Sequence, residues 1–178
     1  MACDLTTGRT EPCKDSLGGI TKVYAMDYVA SGFTVSAGEA TAINAAITEV
    51  FQWDLRSDTN NDAAEAPVSS RDAGTTVFTQ TLNMRLKKQD AATAVEVGLM
   101  AYARPIFVVV DRNSVHKVFG LSEGMDLTGG NIQSGTAKTD FNGYDLTFTS
   151  TEGSPAPILD SSTVTALEAL ISATVITP

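Results

Sequence analysis

Histidine occurs once, at position 116, and cysteine twice, at positions 3 and 13. One imidazole and two thiols so placed do not supply the ligands of a zinc site. Any Ser-His-Asp arrangement would have to run through His116. That residue stands beside Lys117 in a run that reads as a strand, where a solvent-facing position is expected. Positive charge is also scarce: 12 Lys and Arg face 21 Asp and Glu, for a net charge of −9. This balance excludes a general nucleic-acid binder, which needs a basic surface to displace phosphate counterions. No apolar run approaches the roughly 20 residues of a membrane span. The start, MACDLTTGRTEPC, lacks a basic segment followed by an apolar one, so no signal peptide is expected. Cys3 and Cys13 are close enough in sequence to form a disulfide or half a metal site, and synthesis in a cytoplasm favours two reduced thiols.

Other chemistries fail on spacing. "GLSEGMDLTGG" is glycine-rich but lacks the Lys-Ser/Thr of a phosphate-binding loop. Asp58, Asp62 and Asp72 suggest calcium, yet their segment lacks the glycine and final glutamate of an EF-hand loop. The acidic residues cluster in loops, and no pair is assignable to glycoside hydrolysis. An enzyme is not expected, and no cofactor is implied.

What is present is a β-rich chain. Its 178 residues and 43% hydrophobic content suit one domain with a sizeable core. Residues 1–19 are polar and punctuated by Gly and Pro, as in an arm. "ITKVYAMDYV" reads as the first strand, "GFTVSAG" as a short strand or turn, and "ATAINAAI" as either a helical turn or a strand. In "VFQWDLRS", Phe51, Trp53 and Leu55 share one face, and Gln52, Asp54 and Arg56 the other. This is the pattern of a half-buried strand. Residues 58–73 contain almost no large apolar side chain and read as a long loop. "TTVFTQTLNMRLKK" alternates again. Phe78, Leu82, Met84 and Leu86 lie on one side, with Gln80 among them. Thr79, Thr81, Asn83 and Arg85 lie on the other. The two alternating strands and the loop between them suggest a hairpin that extends past its own core.

Asp90 is placed to cap a helix over about 91–102. Its apolar face is expected at Ala94, Val95, Gly98, Leu99 and Tyr102, and Arg104-Pro105 ends it. "IFVVV" is a buried strand by its unbroken β-branched run, and "VHKVFGL" returns beside it. "DFNGYDLTFTSTEGSPAPIL" is turn chemistry, then alternation, then two prolines. Tyr144, Leu146 and Phe148 are expected in the core, with Asp145, Thr147 and Thr149 facing out. Residues 161–173 form a short amphipathic helix or a docking arm, which Pro155 and Pro157 release toward a neighbour. The layout predicts a mainly β protein, an antiparallel sandwich or small barrel over 20–160 with one flanking helix and an extended hairpin.

The segments "FTQTLNMRLKKQDAATAVEVGLMAYARPIFVVVDRNSVHKVFGLSEGMDLTGG" and "SGTAKTDFNGYDLTFTSTEGSPAPIL" together resemble a structural protein of tailed bacteriophages. They are most similar to tail tube proteins, of the type found in phages of Bacteroidetes. The resemblance covers roughly residues 74–159 and is carried most by "NGYDLTFTSTE"; "TGRTEPCKDSLGGITKVY" also resembles the start of such virion proteins. It implies hexameric rings whose long hairpins join into an inner β-barrel, stacked into a tube that conducts DNA without specific binding. The subunit's partners are then its own copies and other virion proteins, not a membrane. Assembly occurs in the bacterial cytoplasm, and the final location is the virion tail.

In that setting Gln52, Asp54, Arg56, Thr79, Thr81, Asn83 and Arg85 are the channel-facing candidates. Asp58, Asn60, Asp62, Glu65, Arg71 and Asp72 are the ring-stacking loop candidates, joined by the terminal arms. The acidic balance suggests a wall that repels the duplex. A capsid auxiliary or decoration protein of a tailed phage is the alternative from a neighbouring class. A hydrolase or lectin-like domain using His116 is the third reading.

Overall fold

The computed structural model describes residues 7–56, 59–172 and 176–177. Cys3 and Asp58 lie outside them. Among the described residues the chain forms two sheets and two helices. Strands β1 (Ile20–Met26), β2 (Phe33–Ser36), β3 (Glu39–Ile43) and β4 (Phe51–Asp54) come first. Strands β5 (Asp62–Ser70) and β6 (Thr75–Lys87) follow, then helix α1 (Ala91–Tyr102). Next come β7 (Ile106–Asp111), β8 (His116–Phe119), β9 (Asp126–Gln133) and β10 (Gly143–Glu152). The chain closes with β11 (Ile158–Leu159) and α2 (Ser161–Glu168).

One sheet has seven strands in the order β2-β3-β11-β8-β7-β1-β4, and the other four in the order β5-β6-β10-β9. Neither closes on itself, so the architecture is a sandwich and not a barrel. Val23, Phe107, Val109 and Phe119 of the large sheet meet Leu82, Met84, Tyr144, Leu146 and Phe148 of the small one in a single core. The rings of Phe107 and Phe148 touch edge to face, 4.8 Å between centroids. A second core covers the other side of the large sheet, where Leu167 of α2 packs with Tyr24, Val108, Val110 and Val118. The large sheet is therefore buried on both sides, which explains the unbroken run of β7. The small sheet is covered on one side only, which explains the alternation of β6 and β10. Leu82, Leu86, Tyr144, Leu146 and Phe148 are buried as expected.

Helix α1 begins where predicted. Asp90 is extended, and its carboxylate accepts from the Thr93 backbone N–H at 2.8 Å and from the Thr93 hydroxyl at 2.6 Å. Its buried face differs from the expected one. Thr93, Val97 and Met100 point inward, whereas Val95, Leu99 and Tyr102 are exposed. Leu99 is thus not a core residue. The helix is apolar almost all round, so the periodicity offered two faces, and tertiary packing chose the one bearing Val97 and Met100.

Three other expectations change. Residues 62–70 are not loop: β5 pairs antiparallel with β6 from Asp62↔Asn83 to Ser70↔Thr75. The partner of β6 in the hairpin is therefore β5, and only residues 71–74 form its turn. Strand β4 belongs to the other sheet, where it pairs with β1. Leu55 is buried and Trp53 half-buried against the core, but Phe51 is 38% exposed at that sheet's edge. Phe78 is half-buried at the base of the hairpin. Finally, the prolines do not free the C-terminal segment. β11 inserts between β3 and β8, and Asp160 caps α2 by accepting from the Thr163 N–H at 2.7 Å. Ile171 then bridges Val50 in parallel. The segment docks on its own domain.

The described residues 7–19 are all exposed and lie in no strand or helix before β1 begins at Ile20. Their end is fastened to the β7–β8 turn, where Asn113 accepts from the Leu17 N–H and donates to the Leu17 carbonyl, both at 2.9 Å.

Candidate assembly surfaces

The uncovered side of the small sheet is the first candidate surface. Strand parity places Thr79, Thr81, Asn83, Arg85 and Lys87 of β6 on it, beside Asp145, Thr147 and Thr149 of β10 and Asp62 of β5. Hydrogen bonds run across the strands. Asn83 donates to Asp62 at 3.1 Å, Thr147 donates to Asn83 at 2.8 Å, and Thr149 donates to Thr128 of β9 at 3.1 Å. Arg85 forms an ion pair with Asp145 at 2.9 Å and lies 4.3 Å over the Phe141 ring. Asn60 donates to the same Asp145 oxygen at 3.0 Å. Asn60, Asp62, Asn83, Asp145 and Thr147 border an open depression of about 390 Å³, floored in part by Gly130. A Cβ at Gly130 would overlap the Asp145 carbonyl oxygen, and its φ of 151° also favours glycine.

The charges on this side nearly cancel. On its four strands it carries three carboxylates, Asp62, Asp126 and Asp145, and two cations, Arg85 and Lys87, and Asp126 lies 3.8 Å from Arg104. The acidic excess of the chain lies elsewhere, so a repelling wall is not what this surface offers. It offers hydroxyls and amides tied to one another.

The seven channel-facing candidates do not share a surface. Thr79, Thr81, Asn83 and Arg85 are together here. Gln52 and Asp54 pair with Tyr24 and Lys22 of β1, which places them on the outer side of the other sheet, and Arg56 is exposed just beyond β4. Parity within each strand was readable, but parity does not reveal which sheet a strand joins.

The six stacking candidates also disperse. Arg71 and Asp72 are exposed at the hairpin turn. Asn60 and Asp62 belong to the polar sheet surface just described. Asp58 lies outside the described residues. Glu65 points inward, where its carboxylate accepts from Gln80 at 3.1 Å and from the Ala156 N–H at 2.8 Å. Gln80 is buried and accepts from the Gly120 N–H at 2.9 Å. Buried Glu152 accepts nearby from the Ser122 and Glu123 N–H groups and from Ser150. These polar groups close the core at the end from which the hairpin leaves. Only Gln80 among apolar neighbours hinted at this in the sequence.

The hairpin is the second candidate surface. From Ala66 to Thr76 every residue is exposed. The pairs Pro67↔Phe78 and Val68↔Val77 thus continue the sheet beyond the core. Each sheet ends in strands paired on one side only: β5 and β9 in one, β2 and β4 in the other. Pro67 on β5 is consistent with an edge.

His116 is half-buried, its Nδ1 3.1 Å from the Ser114 carbonyl oxygen and its ring stacked 6.3 Å from that of Tyr24. A carbonyl partner gives no proton relay. Among the described residues no helix is long and apolar enough to cross a membrane. No family model, curated protein or solved structure matches this chain.

Proposed function

We propose that this chain is a tail tube subunit of a tailed bacteriophage, assembling into rings that stack around a DNA-conducting channel. The observation that carries the reading is the β5–β6 hairpin, which runs past its own core in a sheet with one uncovered polar side and two unpaired edges. A long strand pair without a core beneath it is unfavourable in an isolated molecule, and bare edges invite pairing. Edge-to-edge pairing of β5 in one copy with β9 in the next would close the small sheets into a continuous wall. The sequence resemblance supports the same arrangement.

The channel wall in this reading is the outer side of β5, β6, β10 and β9, without β4. It has few cations to hold phosphate, and Arg85 is already neutralised by Asp145. DNA passes because nothing on the wall binds it, which needs no net repulsion.

Negative-stain microscopy of the purified chain over a concentration series tests the proposal. Rings and tubes with a central channel are expected, either spontaneously or after seeding. Small oligomers that bind empty capsids and never form tubes would favour the decoration-protein alternative. A chain that stays monomeric at every concentration and with seeds would overturn the assembly reading altogether.

A further inference from the structure

Helix α1 has an unusual outer side for a surface helix. Its solvent-facing residues are Ala91, Ala92, Ala94, Val95, Leu99, Ala101 and Tyr102, with Val95 62%, Leu99 56% and Tyr102 92% exposed. Its inner side carries Val97 and Met100 beyond the capping Thr93, and Glu96 is its only charged residue. A helix apolar all round belongs in an interior. The exposed side of α1 is therefore a surface waiting for cover, of the kind that marks an interaction site.

We infer that the overhanging β5–β6 hairpin of a second copy lies along this side of α1. The inference rests on the self-assembly reading and says where the hairpin goes. Three observations select a second copy as the occupant.

The first is charge. Two copies of a chain carrying −9 repel unless they meet through neutral surfaces. The exposed side of α1 is one such surface. The overhang is another: no charged residue occurs between Glu65 and Arg71, or between Gly74 and Arg85, and Val68 is 54% exposed.

The second is size. A 12-residue helix is about 18 Å long, and the overhanging part of β5, residues 66–70, spans about 17 Å. Laid together they cover much less than the roughly 800 Å² per partner of a stable pair. Such a contact holds only when repeated around a ring or along a stack, as self-assembly above a threshold concentration requires.

The third is placement. The hairpin is at the β5 edge of the small sheet, whereas α1 packs beside β9 at the opposite edge. Along β6 the two also sit at different levels, with the overhang at Thr75–Thr79 and the start of α1 just beyond Lys87. No copy covers its own helix with its own hairpin. The contact joins unlike surfaces, so it propagates from copy to copy and does not end at a dimer.

The test is a cysteine pair. Ser69→Cys, on the side of the hairpin turned away from the channel wall, and Leu99→Cys are introduced together in a Cys3→Ser, Cys13→Ser background, and each also alone. Both positions are exposed, so the fold should persist, which circular dichroism checks. Under mild oxidation at assembling concentration, the double variant is expected to give a ladder of covalent multimers. Each single variant should give none. Leu99→Glu should abolish assembly while leaving the monomer folded. Tubes without a ladder would overturn this contact and leave the tail tube reading intact. A ladder of short oligomers without tubes would uphold the contact and overturn that reading. Dimers from Ser69→Cys alone would mean like surfaces meet, which also overturns the inference.

Discussion

Two side chains show how much of this molecule is decided residue by residue. Gln80 is placed by strand alternation among Phe78, Leu82 and Met84, where an apolar side chain would be the default. Its amide instead ties three parts together: it donates to Glu65 of β5 and accepts from Gly120 after β8. Glu65 in turn accepts from Ala156 before β11. Replacing Gln80 with Leu keeps the volume but strands a buried N–H. The expected loss is about 1–3 kcal/mol, because an unpaired buried donor carries its full desolvation cost. Urea denaturation should show a lower midpoint at unchanged slope; an unchanged midpoint would refute the role. Asp90 acts at the surface. Hydrogen bonds from the Thr93 hydroxyl and then its backbone N–H hold its carboxyl below the usual range, and Asp160 is held low by Thr163, whose backbone N–H donates to it at 2.7 Å. For a depressed folded pKa, the added stability is present above the unfolded value, about 4, and disappears as pH falls through the lower folded value. Asp90→Ala should therefore lower the thermal midpoint at neutral pH. That gap should narrow as the pH is taken below about 4. A gap constant down to pH 2 would mean the charge contributes nothing.

At the scale of elements, legibility followed how a strand is buried. β6 and β10 were readable to the residue, because one dry and one wet side impose alternation. β7 was readable because burial on both sides removes it. β5 was not. Its sequence, DAAEAPVSS, has one large apolar residue, and it is held to β6 mainly by backbone pairing. An edge strand with only Ala63 and Glu65 turned toward the core leaves no hydrophobic trace. The β4 error was of another kind. The faces of Phe51, Trp53 and Leu55 follow from period two, but the identity of the neighbouring strand does not. It depends on which strands the rest of the fold brings beside β1, which nothing local announces. For α1 the boundaries were legible through Asp90 and Pro105, while the buried face was not, since Leu99 and Val97 are equally apolar. That same ambiguity is now informative. A sequence supplies two apolar faces to a helix when both are to be covered, and the monomer covers one.

For the whole molecule, the arrangement of neutral and charged surface decides whether it can hold DNA. The uncovered side of the small sheet has Thr79, Thr81, Asn83 and Thr147 at its centre, and its one central cation, Arg85, is paired with Asp145. Purified wild-type subunits should therefore not retain duplex DNA at physiological salt, and tight binding would refute the neutral-wall argument. Thr81→Lys with Asn83→Lys adds two cations to that side without touching the core. Kept below assembling concentration, this variant should bind DNA, with an affinity that falls steeply as salt rises, since each phosphate contact releases counterions. Assembly then discriminates between inside and outside. If the polar side lines a channel, the lysines become inaccessible to DNA added from outside, and variant tubes should bind far less per subunit than the free chain. If variant tubes bind as well as free subunits, this side faces outward. The tube reading would then have to give the channel to the other sheet, where α2 and the segment that ends at Ile171 already cover the surface.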